Sequence, residues 1–237
     1  MSQMKNLYVG TSGYSYKEWK GSFYPEKLAA KDMLPYYAER LKAVELNNTF
    51  YRLPQRSLVE SWRDQVPENF RFSVKASQRI THFKRLKEAE EPTKLMFDTV
   101  AALEARLGVV LFQLPPNMKK DLERLEAFLA LLPAGVRSTF EFRHPTWFDD
   151  DVLELLKRHN HALCISDTDD LPTNHIDKTA DWGYLRLRRV NYSREDLTAW
   201  VERIKLQKWK SIFVFFKHED EGTGPKLAAE FLSLTRS

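Results

Sequence analysis

Residues 107–143 read LGVVLFQLPPNMKKDLERLEAFLALLPAGVRSTFEFR, and they decide the fold. Gly108 to Leu114 is an apolar, β-branched run. Leu122, Leu125, Phe128, Leu129 and Leu132 then recur at helical spacing, and Ser138 to Arg143 forms a second strand-like run. Strand, helix and strand in so short a span imply a right-handed crossover between parallel strands. Working outward, similar runs occupy Leu7 to Gly10, Ala43 to Leu46, Phe70 to Lys75, Ala162 to Ser166, Gly183 to Leu187 and Ser211 to Lys217. Eight such runs, with helical stretches between most of them, predict one α/β domain over residues 1–237, a (β/α)8 TIM barrel. Ser57 with Glu60 and Ser193 with Asp196 are spaced as helix capping boxes.

Two connections depart from the simple unit. Ser77 to Leu107 has room for a loop carrying ITHFKR and a helix from about Pro92, ended by Gly108. Asp167 to Asp181 is polar, contains Pro172 and carries no apolar stripe, so the sixth helix is expected to be short or missing.

Composition narrows the function. In 237 residues, 43% hydrophobic and 30% charged content exclude a disordered or fibrous chain. The longest apolar stretches, Leu107 to Phe112 and Ile212 to Phe216, fall far short of the roughly 20 residues of a membrane span. No secretory signal is visible before the first strand, so a cytoplasmic protein without a membrane partner is expected. Cys164 is the single cysteine, which excludes an internal disulfide and a multi-cysteine zinc site, and its setting in ALCIS makes it a core residue. The net charge of +4 is mild, and acids alternate with bases in segments such as Lys119 to Glu126. That pattern describes a solvated surface better than a nucleic-acid face.

Alternate residues of a barrel strand face its interior, and this phase can be read from the sequence. In the fifth strand, Phe140 and Phe142 take one face while Thr139, Glu141 and Arg143 take the other. Arg71, Ser73 and Lys75 likewise oppose Phe70, Phe72 and Val74, and Tyr184, Arg186 and Arg188 oppose Leu185 and Leu187. Glu45 and Asn47 share a phase, Gln113 ends the fourth strand, Asp167 follows the sixth, and Lys217 ends the eighth. Polar residues thus gather at the C-terminal ends of the strands, where barrel enzymes build their sites.

The chain also resembles the YecE-like family, domain of unknown function 72. The motifs are VGTSGYSYKEWKGSFYP (Val9 to Pro25), VELNNTFYRLP (Val44 to Pro54), FSVKAS (Phe72 to Ser77) with ITH, LGVVLFQLPP (Leu107 to Pro116) and FEFRHPTW (Phe140 to Trp147). The resemblance implies a TIM barrel and marks Glu45, Asn47, Lys75, His82, Gln113, Glu141, Arg143, His144 and Trp147, but it brings no reaction with it. Two departures stand out. Arg188 and Arg189 occupy places where the family pattern has His-Gly, and Lys217 and His218 follow the eighth strand where asparagines are usual.

The residues permit several chemistries. Glu45 and Glu141 are candidates for proton transfer, of hydrolase or lyase type, and Lys75 for an imine. Lys75, Arg143, Arg186, Arg188 and Lys217 place five cations about one mouth, which favours a small anionic, phosphate-bearing substrate. Asn47, Gln113, His144, Trp147, Asp167, His218 and Tyr14 complete the expected binding set. GTGPK (Gly222 to Lys226) is a further phosphate-loop candidate, opposed by Glu219, Asp220 and Glu221. No HxH or HExxH spacing occurs, so neither a metal nor a cofactor is expected. Two other readings stay open. One is a nucleic-acid-binding barrel or nuclease using the aromatics of the first loops; the other is a ligand- or partner-binding barrel without catalysis. If the cations await an anion, Arg186→Ala should cost little stability.

Overall fold

The computed structural model describes residues 6–171, 173, 176–217 and 221–236. Eight parallel strands close in chain order, with β1 (Leu7–Ser12) paired to both β2 (Ala43–Leu46) and β8 (Ser211–Phe216). Between them run β3 (Arg71–Lys75), β4 (Leu107–Gln113), β5 (Ser138–Glu141), β6 (Ala162–Asp167) and β7 (Trp182–Leu187). Helices α1 (Met33–Ala38), α2 (Asn48–Tyr51), α3 (Arg56–Asp64), α4 (Glu90–Val100), α5 (Leu122–Leu129), α6 (Asp150–Arg158), α7 (Arg194–Leu206) and α8 (Thr223–Leu234) fill the crossovers. The architecture is the expected α/β TIM barrel. Among the described residues no helix lies between β6 and β7, and Pro172 itself falls outside the described residues.

The phase reading holds. Phe72, Val74, Phe112, Phe140, Phe142, Leu185 and Leu187 belong to the core between sheet and helices. Val109, Leu111, Ala162, Cys164, Tyr184, Phe213 and Phe215 form a second core, inside the barrel. Tyr8 stacks on Phe213 at 4.8 Å there, and Trp182 meets the same ring edge-on. Burial pushes the Cys164 thiol well up, which suits an inert packing residue.

Local signals were read with mixed success. The Ser193–Asp196 capping box forms in full at α7. The Ser57–Glu60 box does not, because α3 starts two residues earlier with Gln55 at its cap, and Glu60 pairs with Arg56 at 3.0 Å instead. Gly108 does not end the preceding helix either. That helix stops at Val100, a 3-10 segment follows (Ala101–Arg106), and Gly108 lies in β4, where a Cβ would come 2.9 Å from the Phe213 ring. In α8, Pro225 is the third residue and not the first, and Gly222 supplies the cap with φ of 74°.

Candidate functional site

The apolar interior of the barrel gives way to polar residues at the C-terminal ends of the strands. Register makes Ser12, Glu45 and Ser73 neighbours across β1, β2 and β3, pairs Gln113 with Glu141, and pairs Ser166 with Arg186. Glu45, Glu141 and Arg186 are all essentially inaccessible, at 0%, 1% and 2% exposure. Charges so deep are tolerable only when paired.

Arg186 supplies the pairing. Its Nη2 donates to Glu45 Oε1 at 2.8 Å and its Nη1 to Glu141 Oε2 at 2.5 Å, so one guanidinium spans two carboxylates carried by different strands. Glu45 accepts three more bonds, from Ser12 Oγ (2.7 Å), Asn47 Nδ2 (3.2 Å) and the Tyr184 hydroxyl (2.6 Å). Glu141 also accepts three more, from Gln113 Nε2 (2.8 Å), Arg188 Nη2 (3.0 Å) and Arg143 Nε (3.3 Å). On each carboxylate three of the four donors crowd Oε1 and one reaches Oε2, so both groups are heavily solvated by protein donors while Oε2 keeps an acceptor position.

The electrostatics follow from this count. Burial pushes the Glu141 carboxyl up, but Arg186, Arg188 and Arg143 outweigh it and hold the group down at about 2. Burial likewise opposes ionisation of Glu45, and Arg186, Tyr184 and Ser12 overcome it, leaving the carboxyl below its ordinary value. Arg186 moves the other way. Burial disfavours its charge, but Glu45 and Glu141 more than compensate, so its pKa lies well above the ordinary value.

A second group of cations lies above this layer. Arg143 keeps 35% side-chain exposure and Arg188 15%, and Arg188 also donates to Ser166 Oγ at 2.7 Å. Lys75 ends β3. Its Nζ sits 4.1 Å over the Phe50 ring and makes no ion pair or hydrogen bond among the described residues, and its backbone carbonyl accepts from Thr49 Oγ1 at 2.7 Å. Burial, then Arg186, pull the Lys75 amine down to about 8, with Arg143 adding to the effect against the upward pull of Glu45 and Glu141. The His82 ring meets the same Phe50 ring edge-on at 4.9 Å. Burial, Lys75, Arg143 and Arg85 lower its pKa, so the imidazole is neutral at pH 7. Within the protein, Arg186 Nε, Arg188 Nε and Asn47 Oδ1 are buried without a hydrogen-bond partner.

The mouth therefore gathers Glu45, Asn47, Lys75, Gln113, Glu141, Arg143 and Arg186 as the strand phase predicts. Other expected residues are elsewhere. Asp167 points outward, where it accepts from Thr173 N, Arg189 Nε and the Tyr192 hydroxyl, each at 2.9 Å, and so ties the loops after β6 and β7 together. Its register partner Leu187 already belongs to the outer core, so the parity of β6 gives the reason. Trp147 is fully buried, stacked on Phe142 at 4.7 Å with its indole N–H on the Met118 carbonyl. His144 caps the short turn Pro145–Trp147 through Thr146. Tyr14 packs on Tyr37 in the outer core. Lys217 stands exposed just past β8, and His218 lies outside the described residues. The first-loop aromatics Trp19, Phe23 and Tyr24 pack on one another and on Tyr36, so these serve the fold.

Some contributors escaped the sequence reading. Ser12 lies beyond the Gly10 limit set for the first strand, so the inward parity of Tyr8, Gly10 and Ser12 stopped short of it. Tyr184 had the right parity but looks like a barrel filler. Ser73 is its partner, at 2.6 Å between hydroxyls.

A cleft of about 670 Å³ opens at the other end of the barrel, lined by residues 129–130, 132–137 and 159–161 with Asp181 and Trp182. Conserving stability, not chemistry, is the usual task of that end. Its one shifted histidine, His161, is held down to about 4 by burial and His159.

A parallel eight-stranded barrel that gathers charged side chains from the ends of β2, β3, β5 and β7 at its C-terminal mouth is a TIM-barrel protein. The chain belongs to the family described as protein of unknown function DUF72, whose model matches residues 8–237. It is 25% identical over 268 residues to UPF0759 protein YunF of Bacillus subtilis, covering 96% of this chain and 94% of YunF. To UPF0759 protein YecE of Escherichia coli it is 30% identical over 143 residues, covering 60% and 50%. A crystal structure of a DUF72 family protein from Thermotoga maritima superimposes with a TM-score of 0.86 at 28% identity, covering 98% of this chain and 100% of that one. No helix among the described residues is long and apolar enough to cross a membrane.

Proposed function

We propose that the barrel mouth binds a small anionic ligand bearing a phosphate or carboxylate group, as the substrate of an enzyme. The supporting observation is one of charge and valence. Four cations, Lys75, Arg143, Arg186 and Arg188, surround two carboxylates that each already take four donors, none of them Lys75. The excess positive charge, the buried donors Arg186 Nε and Arg188 Nε, and the unpaired Lys75 ammonium all await an acceptor. Glu45 and Glu141, each held ionised by four donors, orient Arg186 and do not take a substrate proton. Lys75, Arg143 and Arg188 form the clamp.

Two results test this. Sodium phosphate at roughly a hundredfold its Kd should stabilise the fold by about 3 kcal/mol at matched ionic strength, and much less in Arg143→Gln/Arg188→Gln. Lys75→Met should itself raise the stability of the ligand-free protein at pH 7 by about 1–3 kcal/mol, because it removes a charge that the fold disfavours. The sign is fixed by the depressed amine. Below about 8 the lysine is charged in both folded and unfolded chains and the full cost is present. As pH rises from there toward 10.5 the cost fades, and the variant's advantage should vanish with it. Chemical denaturation at pH 7 and pH 10.5 measures both. An unchanged melting temperature in phosphate, or a destabilised Lys75→Met at pH 7, would return the cations to a purely structural role.

One observation favours nucleic acid as the anion's source. Tyr51 and Phe83, 74% and 73% exposed, lie in the connections after β2 and β3, beside Arg52, Lys84 and Arg85. Stacking on bases would then accompany the phosphate clamp. Affinity for single strands should fall steeply between about 50 and 200 mM salt under that reading. No binding at the lower salt removes it.

A further inference from the structure

The geometry points to Lys75 as a covalent residue that forms an imine with a small carbonyl compound carrying a carboxylate or phosphate. This rests on the anion-binding reading and adds the ligand's reactive group. Both carboxylates of the mouth lie near enough to influence the Lys75 amine, but the donors that reach them are Arg186 and other neighbours, and neither is bonded to Lys75. Its Nζ instead lies over the face of the Phe50 ring, 4.1 Å from the centroid. The stem is fixed at the end of a barrel strand, where Thr49 holds the Lys75 carbonyl and the Ala76 amide bonds the Leu111 carbonyl at 2.8 Å. An amine that is desolvated, surrounded by cations and free of acceptors has a usable lone pair near neutral pH. Its pKa of about 8 agrees with that position. Arg143 and Arg188, which bracket Glu141 from the same mouth, would seat the anionic end and leave the carbonyl carbon toward the amine.

The chemistry balances without an outside reagent. The neutral Nζ attacks the carbonyl carbon, the C–N bond forms, and the π pair moves to oxygen. A proton passes from nitrogen to oxygen, and loss of water leaves the imine. His82 is placed to carry that proton. Its charged form is disfavoured, it packs on the same Phe50 ring, and it shares a hydrogen bond between Nδ1 and Thr81 Oγ1 at 2.9 Å; in the tautomer with the proton on Nδ1, Nε2 is the exchanging atom.

The test uses the unmodified protein at pH 7.5 with sodium cyanoborohydride and, in separate arms, pyruvate, glycolaldehyde phosphate or uncharged acetone, followed by peptide mapping. Reduced adduct should appear on Lys75 at least about tenfold faster than on exposed lysines, whose neutral fraction is roughly a hundredfold smaller. One or both anionic probes should react and acetone should not, and whichever anionic arm is faster tells a carboxylate from a phosphate substrate. The rate should rise with pH to a midpoint near 8. Inorganic phosphate should suppress it, and Lys75→Arg should lose it while keeping its fold. Adduct spread evenly over the lysines, or none on Lys75, overturns the inference. If phosphate still stabilises the fold in that case, the anion site survives alone. If Lys75 is labelled selectively but phosphate neither protects it nor stabilises the protein, the anion-binding reading fails, and this inference fails in its anionic specificity.

Discussion

Arg186→Ala should destabilise the protein by about 3–5 kcal/mol at pH 7, the usual penalty for stripping a buried ion pair of one partner. For a chain of this size that is a fall in melting temperature on the order of 10 °C. The sequence suggested the opposite, a cation awaiting a ligand whose loss costs little. The structure reverses that expectation, because Arg186 is 2% exposed and is bonded to both Glu45 and Glu141. Acid titration adds an independent check. In the parent protein, Glu141 is held at about 2 against an ordinary 4.5, so the stabilisation it contributes is full above 4.5 and is lost as pH falls toward 2. That is roughly 3 kcal/mol, and Glu45 moves in the same direction. Without Arg186, burial dominates and the carboxyls rise. The variant should therefore lose less stability than the parent on acidification, and the gap between them should narrow from pH 6 to pH 3. Urea unfolding followed by tryptophan fluorescence measures it. A variant within about 1 kcal/mol of the parent at pH 7, or a gap that ignores pH, contradicts this account.

Gly10→Ala should prevent folding altogether. Gly10 faces Ala43 across the β1–β2 ladder, and a Cβ there would lie 1.8 Å from the Ala43 carbonyl oxygen and 2.9 Å from the Tyr37 hydroxyl. That hydroxyl is inserted between the strands. It accepts from Thr11 N and donates to the Ala43 carbonyl, both at 2.8 Å. Overlap with the end of a flexible side chain can be relieved by rotation, but overlap with backbone cannot. β1 is also held by five residue pairs to β8, so it cannot move aside without opening the barrel. The cost should exceed the about 1–3 kcal/mol of ordinary overpacking. Tyr37→Phe, which only removes the bridge, should cost about 1–3 kcal/mol and still fold. Circular dichroism of soluble Gly10→Ala decides it, and a native-like spectrum with a melting temperature near the parent's counts against the argument.

Much of the mouth was legible because strand parity is local. Glu45, Lys75, Gln113, Glu141, Arg143 and Arg186 could be assigned an inward phase from two or three neighbours each. Parity failed where the strand limit was misjudged, as at Ser12, or where a polar residue just past a strand was assigned by position alone. Asp167 is such a case: it sits one residue after the inward Ser166 and so faces the helices, where it binds Arg189. Trp147 and His144 carried a family motif, yet the motif describes a packed turn as well as it would a site.

The sequence by itself determined the barrel, the lack of a helix between β6 and β7 among the described residues, and the set of charges at its mouth. Periods of 2 and 3.6 residues are written in short windows, and closure follows from their repetition. Only the tertiary structure decided which charge meets which. Arg186 reaches Glu45 across 141 residues and Glu141 across 45, and the stagger of the closed sheet sets those pairings. The same closure gives each carboxylate four donors and leaves the Lys75 ammonium without an acceptor among the described residues. Whether a cation is a strut or a waiting site depends on how many acceptors lie within about 3 Å of it, a property of the closed sheet and not of any single strand.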